Sequence, residues 1–210
     1  LGELDAVVAD LTPAQIQALT QNDEILSLFH DYKVESASMQ AAVNTVPSDA
    51  VGTLNVADPA ALVIGASRLH GPTREVNPAI DGSGSTIALI DSGVQFQDTE
   101  HQILGEEEAA HFVGQADFVD KDKCTNRGQE QRDGYCWSDS WHSQDPFGHG
   151  THIANIILMR QVDAATQTEL GIAPGSRVLS IRVLGEDGSG YYSDVIAGIQ
   201  YAIEHRFEHN

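Results

Sequence analysis

Positive charge is scarce in this sequence of 210 residues, in which 11 Lys and Arg stand against 31 Asp and Glu, for a formal net charge of −20. Nucleic acids and anionic membrane surfaces are held by clustered positive charge, so neither is an expected partner. No apolar run approaches the ~20 residues of a membrane-spanning helix. A hydrophobic content of 41% is nevertheless enough for a packed core and argues against global disorder.

Cysteine is also scarce, because only Cys124 and Cys136 are present. One intramolecular disulfide, two free thiols or half of a metal site are the alternatives, and the lack of a C-x-x-C pair disfavours zinc. A disulfide is therefore predicted, which indicates an oxidising compartment and a secreted protein. The chain begins at Leu1 without a basic and apolar leader, so any signal peptide is expected to have been removed or to lie outside it.

The first part of the chain predicts a small β-α-β unit over residues 4–34. Strands are expected at 4–11 and 24–34, and Thr12, Pro13 and Gln15 have the spacing of a capping box at the start of a short helix. Such a unit is too small to bury much apolar area alone and is expected to dock on another part of the protein. Residues 36–62 lack a clear period and predict a linker.

The remainder of the chain, residues 63–210, alternates strand and helix patterns. Buried parallel strands are predicted at 85–90 and 177–184. One helix should follow Gly148, and a second should run from a Ser193 cap to about residue 206. Their expected inner faces are Ile153, Ile156 and Ile157 in the first and Ile196, Ile199 and Ile203 in the second. The fold class is therefore α/β, with a partial doubly wound parallel sheet and ligands at the carboxyl ends of its strands.

Two residues in this part of the chain suggest proton-transfer chemistry. Asp91 ends the first predicted strand, where a charge needs a partner, although Asp-Ser-Gly by itself is typical of a turn. His149 lies between Gly148 and Gly150 at a helix start, and histidine is the side chain best suited to proton transfer near neutral pH. An Asp that accepts a hydrogen bond from such a ring fixes its tautomer. Asp91 and His149 are the candidate catalytic pair.

The runs IALIDSGV and DPFGHGTHIA resemble the subtilisin-like serine protease family, peptidase family S8, and so do 116–120, 170–185 and 187–204. The resemblance implies a Ser-His-Asp serine endopeptidase in which Asp91 orients His149 and His149 is the general base. His152 would be structural. His149 and His152 lack the H-E-x-x-H metal pattern, so no metal is assigned, and no cofactor is needed for the chemistry.

The same resemblance assigns a substrate edge to Gly188, Ser189, Gly190 and Tyr192. There a protein or peptide substrate would add as a strand, with Tyr192 lining a side-chain pocket. The alternative is a solvent-exposed loop that contains two tyrosines.

Residues 1–35 resemble the second half of the family's inhibitor I9 propeptide, which assists folding and leaves its tail in the active site. On that pattern residues 32–35 occupy the substrate groove, cleavage falls near Glu35 or in the linker, and the protein's own propeptide is one of its partners.

The sequence departs from the family in three places. The nucleophilic Ser of a G-T-S-type motif and the oxyanion-hole Asn would follow residue 210, so this chain is expected to be an inactive fragment of a longer enzyme. An insertion between Asp91 and His149 holds both cysteines and the acidic run 106–108, and it is expected to rim the cleft. Asp163 and Glu169 could donate oxygen ligands to a structural calcium ion, and the alternative is that they belong to a solvated acidic loop.

Three functions follow from these observations. The first is a serine endopeptidase, present here without its nucleophile. The second is a non-catalytic module derived from a protease that binds peptides in the groove. The third is a protease inhibitor or folding aid carried by residues 1–35.

Overall fold

The computed structural model describes residues 6–36, 80–95, 106–119, 124, 128–139, 143–159 and 171–208. Most of the predicted linker at 36–62 lies outside these residues. The helices are α1 (Pro13–Leu19), α2 (Glu106–Ala109), α3 (His149–Leu158) and α4 (Tyr192–Glu204). The strands are β1 (Lys33–Glu35), β2 (Thr86–Asp91), β3 (Phe112–Asp117), β4 (Glu130–Arg132), β5 (Tyr135–Ser138), β6 (Arg177–Arg182) and β7 (Ser189–Tyr191).

Five of the described strands form one sheet in the order β2-β6-β3-β5-β4. The strands β2, β6 and β3 run parallel, and β5 and β4 continue the sheet as an antiparallel hairpin. The register aligns Asp91, Arg182 and Asp117, which are the last residues of the three parallel strands. Charged side chains thus meet at the carboxyl edge, where an α/β sheet binds its ligands.

Helices cover both faces of this sheet, as the doubly wound prediction requires. One core cluster joins Leu179 and Ile181 of β6 to Tyr201 of α4. The other joins Val178 of β6 to Ala154 and Leu158 of α3. Because neighbouring residues of a strand point to opposite faces, β6 contributes side chains to both clusters. The α/β fold class is confirmed.

The predicted burial of β2 is only partly correct. Its side chains are half-buried, and Ala88 is exposed, instead of the complete burial expected of an internal parallel strand. The reason is its place in the order, since among the described residues β2 has β6 as its one neighbour and lies at the edge of the sheet.

The predicted inner face of α4 is wrong, and that of α3 is partly correct. In α4, Ile196, Ile199 and Ile203 are exposed by 39%, 45% and 54%, whereas Gly198 and Tyr201 are buried. A Cβ on Gly198 would lie 2.8 Å from Ile181, so glycine lets the helix approach the sheet closely along a different stripe. In α3 the buried residues are Gly150, Thr151, Ala154 and Leu158. The three predicted isoleucines are half-buried, and Ile157 packs against the core cluster of Ala154 and Leu158.

The N-terminal segment confirms the predicted helix and contradicts the predicted strands. Thr12 and Gln15 form the capping box at the start of α1, with the Thr12 backbone N–H donating to Gln15 Oε1 over 2.8 Å. Residues 6–11 form no strand, and the second strand shortens to β1. A strand exists only through hydrogen bonds to a neighbour, and β1 alone of this segment has one among the described residues, namely β7.

The described part of the insertion between Asp91 and His149 extends the sheet. Its hairpin of β4 and β5 pairs with β3, and the Tyr135 ring packs against Tyr201 of α4 at a centroid distance of 4.9 Å. Burial raises the pKa of Tyr201. A disulfide joins Cys124 to the fully buried Cys136 of β5, as predicted.

Removing this disulfide should lower the free energy of unfolding by about 3 kcal/mol, because the closed loop restricts the unfolded chain. The test is urea denaturation of the Cys124→Ser/Cys136→Ser variant beside the oxidised and reduced parent chain. The reduced parent and the double variant should unfold at the same urea concentration, below that of the oxidised chain. Equal midpoints for all three proteins would contradict the prediction.

Candidate active site

Asp91 and His149 form the centre of the site. The Nδ1 atom of His149 lies 2.8 Å from both carboxylate oxygens of Asp91, and the side chains are exposed by only 19% and 13%. Asp91 ends β2 and His149 begins α3. An ionised carboxylate only accepts hydrogen bonds, so the imidazole carries its proton on Nδ1 and leaves Nε2 as the basic nitrogen.

Glycine allows the two segments that carry this pair to pack backbone against backbone. A Cβ on Gly150 would collide with the carbonyl oxygen of Gly93, and a Cβ on Gly93 with that of Gln144. Gly93 also has a φ of 111°, which favours glycine. Gly150, one of the two glycines that flank His149, thus lies in close contact with the backbone of the neighbouring segment.

Two buried polar residues that the sequence analysis missed support the same loops. The Gln115 side chain is fully buried, accepts from the Val94 backbone N–H over 2.9 Å, and donates to the Gln144 carbonyl over 3.0 Å. Asp145 is 5% exposed and hydrogen-bonds to Ser92, next to Asp91, and to Thr151, near His149. Its position just before a proline and a helix start was an available signal for a capping role. Gln115 lies in an ordinary strand pattern and has no such signal.

A buried ion pair lies beside Asp91 on the carboxyl edge of the sheet. Arg182 Nη1 is 2.7 Å from Asp117 Oδ2, and the two side chains are exposed by 4% and 0%. Asp117 Oδ1 also accepts from the Val119 backbone N–H over 3.0 Å. Sequence reasoning did not identify this pair, since Asp117 and Arg182 are 65 positions apart and meet only through the pairing of β3 with β6.

The predicted substrate edge pairs with a strand from the N-terminal segment. β7 runs antiparallel to β1, with Val34 opposite Gly190. The pairing continues beyond both strands, because the Ser36 N–H donates to the Gly188 carbonyl over 2.8 Å and the Tyr192 N–H to the Tyr32 carbonyl over 3.0 Å. The four residues predicted for this edge, Gly188, Ser189, Gly190 and Tyr192, all lie along the added strand.

Side chains hold the N-terminal segment to the same region. The Tyr32 and Tyr192 rings meet edge to face at 6.4 Å. Asp31 accepts from the Ser193 backbone N–H over 3.0 Å and from its hydroxyl over 2.6 Å, so a carboxylate from a remote segment caps the start of α4. The expected self-capping by Ser193 is wrong, because α4 starts two residues earlier, with Tyr191 as its N-cap.

Replacing Asp31 by alanine should release this anchor. Loss of a capping carboxylate costs ~1 kcal/mol, which corresponds to amide exchange faster by about fivefold. Hydrogen exchange at Ser193 and at Lys33–Glu35 should increase in Asp31→Ala and remain unchanged in Asp23→Ala, a control in the exposed turn after α1. Unchanged exchange at β1 in the Asp31 variant would contradict an anchoring role.

Metal-ligand chemistry is sparse in the part of the chain that the structure describes. No group of three or more His, Cys, Asp or Glu side chains gathers there. The two proposed calcium donors, Asp163 and Glu169, lie outside the described residues. His152, predicted to be structural, is exposed on α3. None of the described helices is long and apolar enough to span a membrane.

Comparisons with known proteins give a consistent result. The model of the Subtilase family (Peptidase S8) matches residues 82–208. Thermitase of Thermoactinomyces vulgaris is 34% identical over 145 residues, which are 66% of this chain and 41% of thermitase. The intracellular serine protease of Paenibacillus polymyxa is 34% identical over 130 residues, 60% of this chain and 32% of that protein.

Among solved structures, a cold adapted subtilisin-like serine proteinase has 29% identity and a TM-score of 0.39, with 67% of this chain and 41% of that chain covered. The chain thus spans less than half the length of these relatives. Since the family model covers more than half of the sequence and includes both Asp91 and His149, the chain belongs to the subtilase family, peptidase family S8.

Proposed function

We propose that the protein is a serine endopeptidase in which Asp91 and His149 are two members of the catalytic triad. The observation that carries this function is the contact of 2.8 Å between His149 Nδ1 and the Asp91 carboxylate at the carboxyl edge of the sheet. The nucleophilic serine and the oxyanion-hole asparagine would be supplied by residues beyond this chain. Membership of the subtilase family supports the assignment.

In the proposed mechanism, Nε2 of His149 takes the proton from the serine hydroxyl as the serine oxygen attacks the scissile carbonyl. The imidazolium that forms is stabilised by the ionised Asp91, which keeps its own charge. The ring then gives the proton to the leaving amine, and a water repeats the sequence to release the acyl group. The Ser92 backbone N–H, 2.7 Å from Asp91 Oδ1, helps to hold this carboxylate in place.

The substrate would bind by strand addition along β7. Gly188 offers a carbonyl acceptor and Tyr192 offers an N–H donor. Between these two positions, Gly190 lies opposite the middle residue of the added strand, which is Val34 in this structure. These are main-chain contacts, so they suit any extended peptide. Tyr192 would line a side-chain pocket, a role that its exposed ring next to Tyr32 supports.

The N-terminal segment would act as the enzyme's own propeptide. β1 occupies the edge that a substrate strand would use, and Asp31 anchors the segment to α4. A segment seated in this way blocks substrate and is itself a substrate-like strand. Processing would then fall near Glu35 or in the chain that follows it, which leaves residues 63–210 as the start of the catalytic domain.

The protein would act outside the cytoplasm. One relative carries the name intracellular serine protease, so the observation that favours secretion is the Cys124–Cys136 disulfide, because such bonds persist in oxidising compartments. Mass spectrometry of the alkylated native protein should find these cysteines paired, and free thiols would contradict the assignment.

The test of the proposed function is labelling by a serine-directed fluorophosphonate in the complete protein. Labelling should occur in the parent and be abolished in His149→Ala, because nothing would activate the nucleophile. His152→Ala, a histidine on the same helix, is the matched control and should keep its labelling. Undiminished labelling of His149→Ala would refute the role of His149, and no labelling of the parent would favour a non-catalytic peptide-binding module.

A further inference from the structure

Asp145 is a buried carboxylate whose hydrogen-bonding capacity is fully used. It is 5% exposed. Its Oδ1 accepts from the Ser92 hydroxyl over 2.7 Å and from the Gly148 N–H over 2.8 Å. Its Oδ2 accepts from the Thr151 N–H over 2.7 Å and from the Thr151 hydroxyl over 2.6 Å. A carboxylate has about four lone-pair sites, so all of them have donors and the ionised form is the one these contacts require.

The donors come from the two segments that carry the proposed catalytic pair. Ser92 follows Asp91 directly in the chain, whereas Gly148 and Thr151 flank His149 at the start of α3. Ser92 adds a second link, because its hydroxyl oxygen accepts from the Gly150 N–H over 3.0 Å. A single carboxylate thus joins the end of β2 to the start of α3, within one or two residues of both Asp91 and His149.

A helix cap would not need this arrangement. The hydrogen bonds from Gly148 and Thr151 are enough to cap α3. A residue that served only as a cap would make no contact with the segment that follows β2. The Ser92 hydroxyl, 0% exposed, makes that further contact from a position 53 residues away in the sequence. Buried charge-assisted hydrogen bonds of this kind are short and directional, so they fix the distance between the segments that they join.

We propose that Asp145 is a positioning residue of the proposed protease, which holds the Asp91 carboxylate and the His149 ring in register through Ser92 and Thr151. The inference rests on the proposed function for its catalytic meaning. The effect of Asp145 on the hydrogen bond between His149 and Asp91 does not depend on that function, because this hydrogen bond can be observed in the present chain without any turnover.

The test is proton NMR of the 210-residue chain, which follows the downfield Nδ1–H proton of His149, assigned by its loss in His149→Ala. In Asp145→Asn one carboxylate oxygen becomes an amide nitrogen, which only donates hydrogen bonds. Whichever way the amide is turned, this nitrogen faces donors, so some of the hydrogen bonds of Asp145 cannot form. The exchange of the Nδ1–H proton with solvent should become at least about tenfold faster, because a hydrogen bond to a charged group is lost nearby. Leu158→Ala, a buried change at the far end of α3, is the matched control for general destabilisation.

Faster exchange in Asp145→Asn with unchanged exchange in Leu158→Ala supports the positioning role. Equal exchange in Asp145→Asn and the parent overturns it, and so does equally fast exchange in both variants. Should Asp145→Asn not fold, Thr151→Val and Thr151→Ser decide the question. The valine variant lacks the hydroxyl and should lose protection, the serine variant should keep it, and equal protection in both overturns the proposal.

In the complete protease, Asp145→Asn should lower kcat by about tenfold or more and leave KM within about twofold, because Asp145 is not part of the strand that binds substrate. An equal change in both constants would overturn the assignment. Failure of the fluorophosphonate test would leave the NMR result intact, so the two proposals are tested separately.

Discussion

Replacing Asp91 by asparagine should lower the kcat of the proposed complete protease about 10⁴-fold, with little change in KM. Both oxygens of Asp91 accept from His149 Nδ1 in the parent. The asparagine amide can donate to Nδ1 instead, which places the ring proton on Nε2 and removes the base that the nucleophile needs. Side chains of nearly equal size keep the fold, so the loss reports the tautomer of His149.

The measurement is steady-state hydrolysis of a peptide substrate by the complete protein. Asp133→Asn is the matched control, because Asp133 is an exposed residue in the turn between β4 and β5. Its kcat should stay within about twofold of the parent, as surface substitutions away from special features do. A loss smaller than about tenfold in Asp91→Asn would contradict the role assigned to this carboxylate.

Replacing Arg182 by leucine should cost about 3–5 kcal/mol of the free energy of unfolding, the largest stability effect expected here. Asp117 would remain fully buried without its cationic partner, and its hydrogen bond from the Val119 N–H compensates for only part of that charge. Urea denaturation of the 210-residue chain, followed by circular dichroism, measures the loss.

The double variant Arg182→Leu/Asp117→Leu separates the charge from the packing. Two apolar side chains leave no buried charge, so most of the lost stability should return. A double variant as unstable as Arg182→Leu would contradict this explanation and show that the arginine acts through packing alone. The pair lies beside Asp91 in the register of the sheet, so the single variant should also disturb the candidate active site.

Local signals in the sequence predicted the elements that depend on neighbours along the chain. The capping box of Thr12 and Gln15 is satisfied within three residues, and β2 and β6 follow from short apolar runs. Asp91 and His149 were also identified from the sequence, because the strand end and the glycine-flanked helix start are local patterns that resemble those of a known family.

The strand expected at 4–11 did not form, and the strand expected at 24–34 formed only at its end, for the opposite reason. Their alternation and composition suit a strand, but a strand is stabilised by a partner that no local pattern specifies. In this segment the strand forms at Lys33–Glu35, which pairs with β7. The partner is remote in the sequence, since Lys33 Nζ donates to the hydroxyl of Ser189, which is 156 positions away. The spacing of the isoleucines in α4 correctly predicted a helix but not which face of it is buried. The close contact of Gly198 with the sheet decides which face of α4 points inward.

The amino-acid sequence by itself thus indicated the family, the fold class and the candidate catalytic pair, since each rests on residue types at short spacings. The tertiary structure alone decided which buried polar side chains surround that pair. Asp145, Gln115 and the Arg182–Asp117 pair act through contacts between segments that are distant in the sequence. A polar side chain has the same appearance in a sequence whether it is solvated or buried, and only the folded chain brings its partners within hydrogen-bonding distance.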